Sequence, residues 1–338
     1  MKIGVAVSGG VDSAVALRLL LEQGYEVEAW HMLAGCASAS PDPAVAPLCD
    51  ALGVPLHVVD LRSAFEHDVI TPFYDAYATG CTPNPCAWCN PRMKFGRLRE
   101  AMNGGLIATG HYVGKAIEPQ SGVETLQSAN DSAKDQSYFL YALTPEILAE
   151  TVFPLAHKTR AEVVALALKW ELPIAASKLT SGSQDICFIP EGDYRPELLR
   201  RHPKATVSGD ILDIEGRVIG RHTGLANYTR GQRRGIGVAT GGRAFVVALD
   251  WACNTLTLGP REALFTSSFR VSELNWIVPP TFPVRCQAVT RYHHAAFECE
   301  LSADGIVTAD SPQSFITEGQ CCVFYRGAYL LGGGLITK

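Results

Sequence analysis

At 338 residues the chain has room for two or three domains. Hydrophobic residues make up 47 % and charged residues 19 %, so a sizeable core can be buried and a disordered chain is excluded. Met1-Lys2 runs straight into the short apolar stretch Ile3–Val7, too short for a secretory signal, and no apolar run is long enough to span a bilayer; a cytoplasmic location and no membrane contact are expected. The net charge of −5 argues against a nucleic-acid partner for the chain as a whole. Between Arg195 and Arg243, however, nine Arg and one Lys face Glu197, Asp210, Asp213 and Glu215, a local excess of +6. Such a face suits a phosphate backbone and equally suits a merely solvated surface.

In chain order, Ile3–Val7 reads as a strand, Val11–Gln23 as an amphipathic helix, and Val27–Met32 as a second strand. Ala34–Pro47, rich in Ala, Ser and Pro, reads as a loop with a weak helix after it. Leu56–Val59 is a strand, Phe65–Ala78 and Arg92–Met102 are helical, and Leu106–Thr109 is a strand. This alternation predicts parallel βαβ units and an α/β sheet. A helix over Ala161–Trp170 follows Thr159. From about Arg195 the helical patterns fade and short strands are predicted: Ile211–Ile214, Phe245–Leu249, Thr255–Leu258, Val284–Val289, Phe297–Leu301, Gly305–Thr308, Cys321–Tyr325 and Tyr329–Leu335. Their spacing predicts one or two small β domains or barrels.

The sharpest local signal is Ser8-Gly9-Gly10-Val11-Asp12-Ser13, set between the first strand and the first helix. Two glycines allow a tight turn and close approach of a ligand, and the free N–H groups of the helix start attract phosphate. Ser8 and Ser13 add hydroxyl donors; Asp12 can hold Mg²⁺ or orient a backbone N–H. No Gly-Lys-Ser/Thr follows, so this is not a Walker A loop. The turn resembles the pyrophosphate loop of ATP-pyrophosphatases, which implies cleavage of ATP between its α and β phosphates.

Eleven cysteines in a chain expected to stay reduced point to packing residues plus a few ligands or reactive thiols. In Cys81-Thr82-Pro83-Asn84-Pro85-Cys86-Ala87-Trp88-Cys89-Asn90-Pro91, Asn90 reads as an N-cap and Pro91 as the first helical residue, which sets Cys89 at a helix N-terminus and predicts a lowered thiol pKa. Lys94 and Arg92 add positive charge. Cys187 opens an apolar run and by pattern alone is a core residue. Cys36, Cys49, Cys253, Cys286, Cys299, Cys321 and Cys322 read as packing residues. A zinc ribbon lacks its second C-x-x-C, whereas an iron–sulfur site with three cysteines is open.

Taken in order, the blocks Ser8–Ser13, Thr82–Pro85, Cys89-Asn90 with Lys94-Phe95-Gly96, Ala108–Tyr112, Lys134–Leu140, Gln184–Ile189, Gly231–Gly235, Arg291-Tyr292 and Gly332–Gly334 resemble the tRNA 2-thiouridylases over nearly the whole chain. The resemblance implies a Rossmann-like N-terminal domain of the adenine nucleotide α-hydrolase type (1–194), a small β-rich central domain (195–262) and a C-terminal β-barrel (263–338). It implies that Ala6, Val7 and Ser8–Ser13 (with Gly9, Gly10, Val11 and Asp12) bind the phosphates of ATP, and that Met32 and Gly110 meet the adenosine. Asn84, Pro85 and Cys86 would face the target base; His111, Lys134, Asp135, Gln136, Arg291, Tyr292 and Gln320 would contact tRNA. Cys89 and Cys187 would handle sulfur supplied by a cysteine desulfurase or relay protein, Cys187 as a persulfide. Arg230, Arg233 and Arg234 would neutralise phosphates of the anticodon arm. Many relatives carry Asp where this chain has Cys86, and with that third thiol Cys86, Cys89 and Cys187 could instead hold a [4Fe–4S] cluster. The short Ala34–Pro47 segment is a second departure.

Overall fold

The computed structural model describes residues 1–35, 41–180, 186–189, 192–238, 242–314 and 316–337. Its first half folds around five strands: β1 (Lys2–Ala6), β2 (Glu26–Leu33), β3 (Leu56–Asp60), β4 (Ile107–Thr109) and, after a hairpin, β7 (Thr151–Val152). All neighbours run parallel in the order β3-β2-β1-β4-β7, the α/β sheet expected from the alternation. Helix α1 (Val11–Glu22) buries Val11, Val15, Leu17 and Leu20, while Ile3, Val5, Val27 and Ala29 fill the sheet side. Helix α2 (Val45–Leu52) is the weak helix predicted after the Ala/Ser/Pro segment. β1 lies between β2 and β4, so the chain switches sides of the sheet there; crevices outside the carboxyl ends of strands at such a point receive ligands in open α/β folds.

The helix Arg160–Lys169 starts on a reciprocal cap. Thr159 Oγ1 accepts from the Glu162 N–H at 3.2 Å, and the Glu162 carboxylate accepts from the Thr159 N–H at 2.7 Å.

The chain then forms a four-stranded sheet, β10-β11-β8-β9, from β8 (Gly209–Leu212), β9 (Val218–His222), β10 (Phe245–Asp250) and β11 (Thr255–Gly259). Six antiparallel strands follow: β12 (Thr266–Trp276), β13 (Val284–Val289), β14 (Phe297–Leu301), β15 (Ile306–Gln313), β16 (Cys321–Arg326) and β17 (Tyr329–Thr337). β12 pairs with both β15 and β17, which closes them into a barrel. The pattern does not show β9 and β12: β9 has a central Gly220 and exposes Val218 as well as Arg221, and β12 breaks its alternation at two register shifts.

The hairpin β5 (Gly114–Ile117) and β6 (Glu124–Gln127) leaves the first domain and extends the barrel sheet through the pair Tyr329–Gln127. Ala87, Phe95, Ile107, Leu126 and Leu140 share one buried cluster with Ile277, Cys321, Val323 and Leu330. The α/β sheet and the barrel therefore meet through packed side chains. Among the described residues no helix is long and apolar enough to cross a membrane.

Candidate active site

The Ser8–Ser13 turn sits at the carboxyl end of β1. Gly9 has φ +76°, a conformation side chains resist, and Gly10 is the extended N-cap of α1. Ser13 Oγ closes the turn: it accepts from the Ser8 N–H at 3.2 Å and donates to the Gly10 carbonyl at 3.0 Å, with Ser8 Oγ 3.4 Å away. Asp12 Oδ1 accepts from the Tyr112 hydroxyl at 2.6 Å and from the Arg160 guanidinium at 2.5 Å. Asp12 thus anchors the turn to two distant segments. Gly110 lies against the turn from β4, where a Cβ would sit 2.7 Å from the Asp12 carbonyl carbon and 2.7 Å from the Ser13 nitrogen. Met32 is half-buried near the carboxyl end of β2, and Ala6 and Val7 lead from β1 into the turn. Next to Met32, the His31 ring nitrogen Nδ1 lies 2.8 Å from the Val7 carbonyl.

The cysteine segment departs from the sequence reading. The helix begins at Pro85, with Asn84 as its extended N-cap, and runs on as Pro85–Cys89, Asn90–Leu98 and Arg99–Ala101. Asn84 and Pro85, not Asn90 and Pro91, occupy the cap and first helical positions. Pro91 lies inside the helix, where it has no N–H to donate and its ring crowds the carbonyl four residues back; the ladder there widens to a π-type stretch. Cys89 is therefore away from any helix N-terminus. Burial pushes its thiol up to about 12, against a smaller opposite pull from Lys94. At neutral pH Cys89 is a protonated thiol, the reverse of the lowered pKa expected.

The three thiols lie in one neighbourhood. Cys86 and Cys187 are exposed, Cys89 is half-buried, and the three lie close enough for their charges to interact. Although both residues keep solvent contact, the protein packed around their thiols desolvates them and raises the pKa of Cys86 and of Cys187, and the Lys94 ammonium opposes the rise at both. Lys94 Nζ also lies 3.4 Å from His111 Nε2, while His111 Nδ1 is 2.7 Å from Thr109 Oγ1. Burial first, and the Lys94 charge second, hold the imidazole neutral. A neutral ring that accepts from Lys94 at Nε2 keeps its proton on Nδ1. His111 follows Gly110 directly, so the segment that lies against the turn at Gly110 also reaches Lys94 at His111, and the Lys94 charge is near enough to act on Cys86, Cys89 and Cys187.

The barrel reaches the same place. Tyr292 packs on Phe139 at 4.4 Å, and both Tyr292 and the buried Cys321 are near enough to Cys86 to feel its charge. Gln320 Nε2 donates to the Thr82 carbonyl at 2.8 Å, and the Thr82 N–H donates to the Glu318 carbonyl at 2.8 Å. Asp135 accepts from the Ala129 and Ser137 N–H groups, and Gln136 Oε1 accepts from the Tyr112 N–H. Asp135 and Gln136 therefore fix local backbone; Lys134 beside them in the chain is half-buried, and Arg291, next to Tyr292, is exposed. A groove of about 210 Å³, lined by Asp135, Tyr138, Gln287, Tyr292, His293 and Tyr325 among others, runs between the two domains.

Several cations of the basic segment are paired. Arg195 pairs with Asp193, Arg200 and Arg201 with Glu197, Arg217 with Asp213, and Arg221 with Asp210. Arg230 turns inward, donating to the Ile316 carbonyl at 2.9 Å, so it does not present its charge beside Arg233 and Arg234 as expected. Arg233 and Arg243 line a depression of about 420 Å³ on the central sheet.

Of the cysteines read as packing, Cys49, Cys286, Cys299, Cys321 and Cys322 are buried. Cys253 is exposed, in the turn joining β10 to β11, where Asp250 caps its N–H. Cys36 lies outside the described residues, as do Gln184 and Asp185 of the block before Cys187. Around the turn, the sequence reading gave no role to Tyr112, Arg160, Lys178 or Asp42. Tyr112 stood in a recognisable block and Arg160 follows a capping threonine, but neither signal says what the side chain holds.

Three adjoining stretches match family models: residues 1–191 the tRNA methyl transferase HUP domain, 197–260 the tRNA methyl transferase PRC-barrel domain, and 266–336 the aminomethyltransferase beta-barrel domain. The tRNA-specific 2-thiouridylase MnmA of Chloroflexus aggregans is 39 % identical over 354 residues, covering 99 % of this chain and 98 % of that one. The protein of the same description from Nitratidesulfovibrio vulgaris is 41 % identical over 351 residues, covering 99 % of each. A solved 4-thiouridine synthetase–RNA complex with bound ATP aligns with 60 % of this chain and 50 % of that one at 16 % identity, with a TM-score of 0.36, too slight a likeness to carry weight.

Proposed function

The chain belongs to the tRNA-specific 2-thiouridylase family and is a sulfurtransferase, and from that premise we propose that it adenylates the C2 oxygen of the wobble uridine, position 34 of tRNA, and replaces that oxygen with sulfur. The succession of contacts from the Ser8–Ser13 turn through Gly110 and His111 to Lys94, whose charge acts on the three thiols, carries this reading. It sets a phosphate-binding turn and a sulfur-bearing cluster at two ends of one site.

ATP arrives with Mg²⁺ as part of the substrate. The uracil C2 oxygen attacks the α-phosphorus, the bond to the β-phosphate breaks, and pyrophosphate leaves into the turn. AMP makes the C2 oxygen a good leaving group. Cys187, exposed and so open to a cysteine desulfurase or relay protein, carries a persulfide. Its outer sulfur bonds to C2, the C2–O bond breaks, and AMP departs with the oxygen. Cys89 then loses its proton and attacks Cys187 Sγ. The sulfur–sulfur bond to the base breaks, 2-thiouridine is released, and a Cys89–Cys187 disulfide forms for an external thiol to reduce. Lys94 is the cation that favours each thiolate.

Cys86, Cys89 and Cys187 are also the donor set of a [4Fe–4S] cluster. As placed, the described residues hold no three such donors gathered around one point; the route proposed above carries the sulfur as the persulfide, and the cluster is the alternative that the same three thiols would serve. The base must leave its stack, which in an unpaired loop costs only a few kcal/mol. Residues 1–194, 195–262 and 263–338 form three working units. The groove beside Tyr292 and the Arg233, Arg234 and Arg243 surface receive the anticodon arm, whose phosphates position the RNA without being read. ATP–pyrophosphate exchange should require tRNA; exchange without tRNA, driven by a small carboxylic acid instead, would favour another adenylating enzyme.

A further inference from the structure

Two charged side chains that no step above uses meet on the phosphate turn. Asp42, just before α2, places its carboxylate on Gly9, where a Cβ would lie 2.7 Å from both the carboxyl carbon and Oδ1. Its position is fixed: Oδ1 accepts from the Ala44 N–H at 2.9 Å, and the Asp42 carbonyl accepts from the Val45 N–H at 2.9 Å. Lys178, in the short helix Ala176–Thr180, reaches the same point from the opposite direction. Its ammonium donates to Asp42 Oδ2 at 2.6 Å and to the Gly9 carbonyl at 3.2 Å. Arg160 holds the backbone that carries Lys178, donating to the Lys178 carbonyl at 3.3 Å while its other nitrogen is on Asp12.

A turn that is built to attract an anion thus has a carboxylate seated on it, already paired with a lysine. Lys178 gives that carboxylate the kind of charged donor a phosphate takes, and it does so beside the glycine turn that opens α1. A carboxylate with one full charge is a weaker occupant than a pyrophosphate group with several. We infer that Lys178 is a phosphate-binding residue of this site and that Asp42 is an internal stand-in anion, which yields both the turn and Lys178 to the phosphates of the arriving nucleotide. The inference rests on the turn being the nucleotide site and goes beyond it: it names a cation and a built-in competitor.

The two roles predict opposite signs. Binding of Mg²⁺-ATP and of inorganic pyrophosphate to the full chain, measured by titration calorimetry, should weaken about tenfold or more in Lys178→Met, the loss of one charge-assisted contact to phosphate. Lys178→Arg should recover most of that loss. Asp42→Asn, which keeps the shape and the Ala44 contact but removes the charge, should tighten both ligands several-fold. In the Lys178→Met background the same substitution should do little, because the pair it breaks is already gone. Asp42→Asn weakening ATP as much as Lys178→Met does would overturn the inference, since Asp42 would then be orienting the lysine for the nucleotide. Unchanged binding in Lys178→Met would overturn it as well. A wild-type chain that binds neither ligand would instead remove the nucleotide reading of the turn, a failure distinguishable from the other two.

Discussion

Cys187→Ser is expected to abolish 2-thiouridine formation, by at least about a thousandfold, while tRNA binding stays within about twofold of wild type. A serine hydroxyl cannot carry a sulfane sulfur or form the disulfide that releases the product, so no slower version of the same route remains. The side chain is exposed and changes by one atom, so neither the core nor the phosphate turn should respond. ATP–pyrophosphate exchange in the presence of tRNA should persist, because in the proposed order adenylation precedes sulfur transfer. Nucleoside analysis of the tRNA by mass spectrometry, run beside the exchange assay, separates the two half-reactions. A variant that still thiolates would show that the sulfur travels on another group.

Gly110→Ala should weaken ATP binding by about a hundredfold with tRNA binding retained, the scale on which a misplacement of about one ångström acts in an active site. The added methyl meets backbone, not a movable side chain: the Asp12 carbonyl carbon and the Ser13 nitrogen, each 2.7 Å away. The start of α1 must retreat, and with it the Ser13 hydroxyl that ties the turn to Ser8 and Gly10. Overpacking of this kind also costs roughly 1–3 kcal/mol of stability, so a thermal melt belongs beside the calorimetry. Normal ATP affinity in a folded Gly110→Ala chain would mean that the turn does not hold the nucleotide.

The two variants test residues that were legible in the sequence to different degrees. The α/β sheet was readable because its strands are short apolar runs separated by helical periods, and the Ser8–Ser13 turn because two adjacent glycines between a strand and a helix mark a tight turn. The barrel was readable in outline. Its closure was not, because β12 shifts register twice against its neighbours and so shows no clean alternation. The extension of the barrel by β5 and β6 was hidden for a different reason: those strands come from another part of the chain, and they join β17 through one ladder pair, Tyr329–Gln127, and a side-chain hydrogen bond from Thr125 to the Leu330 carbonyl.

At the site, local reasoning misled where a stronger local competitor existed. Asn90-Pro91 has the look of a helix start, yet Asn84-Pro85 stands six residues earlier and takes that role. The later proline is then absorbed into the helix as a π-type widening. Cys89 consequently lies in a half-buried position and its pKa moves up rather than down. The net +6 of the central segment stands, but composition does not show how its charges are arranged: Arg200, Arg217 and Arg221 meet acids already in that count, and Arg195 meets Asp193 just before it. Asp42 and Lys178 gave no sequence signal at all, since a carboxylate and an amine 136 residues apart meet only through the tertiary fold.

The fate of one oxygen atom tests the central claim most directly. In tRNA whose wobble uracil carries oxygen-18 at C2, a single round of thiolation by the wild-type chain should deliver the heavy atom to AMP, and the tRNA should gain 2-thiouridine in equal amount. Unlabelled AMP beside thiolated tRNA would contradict adenylation of the base.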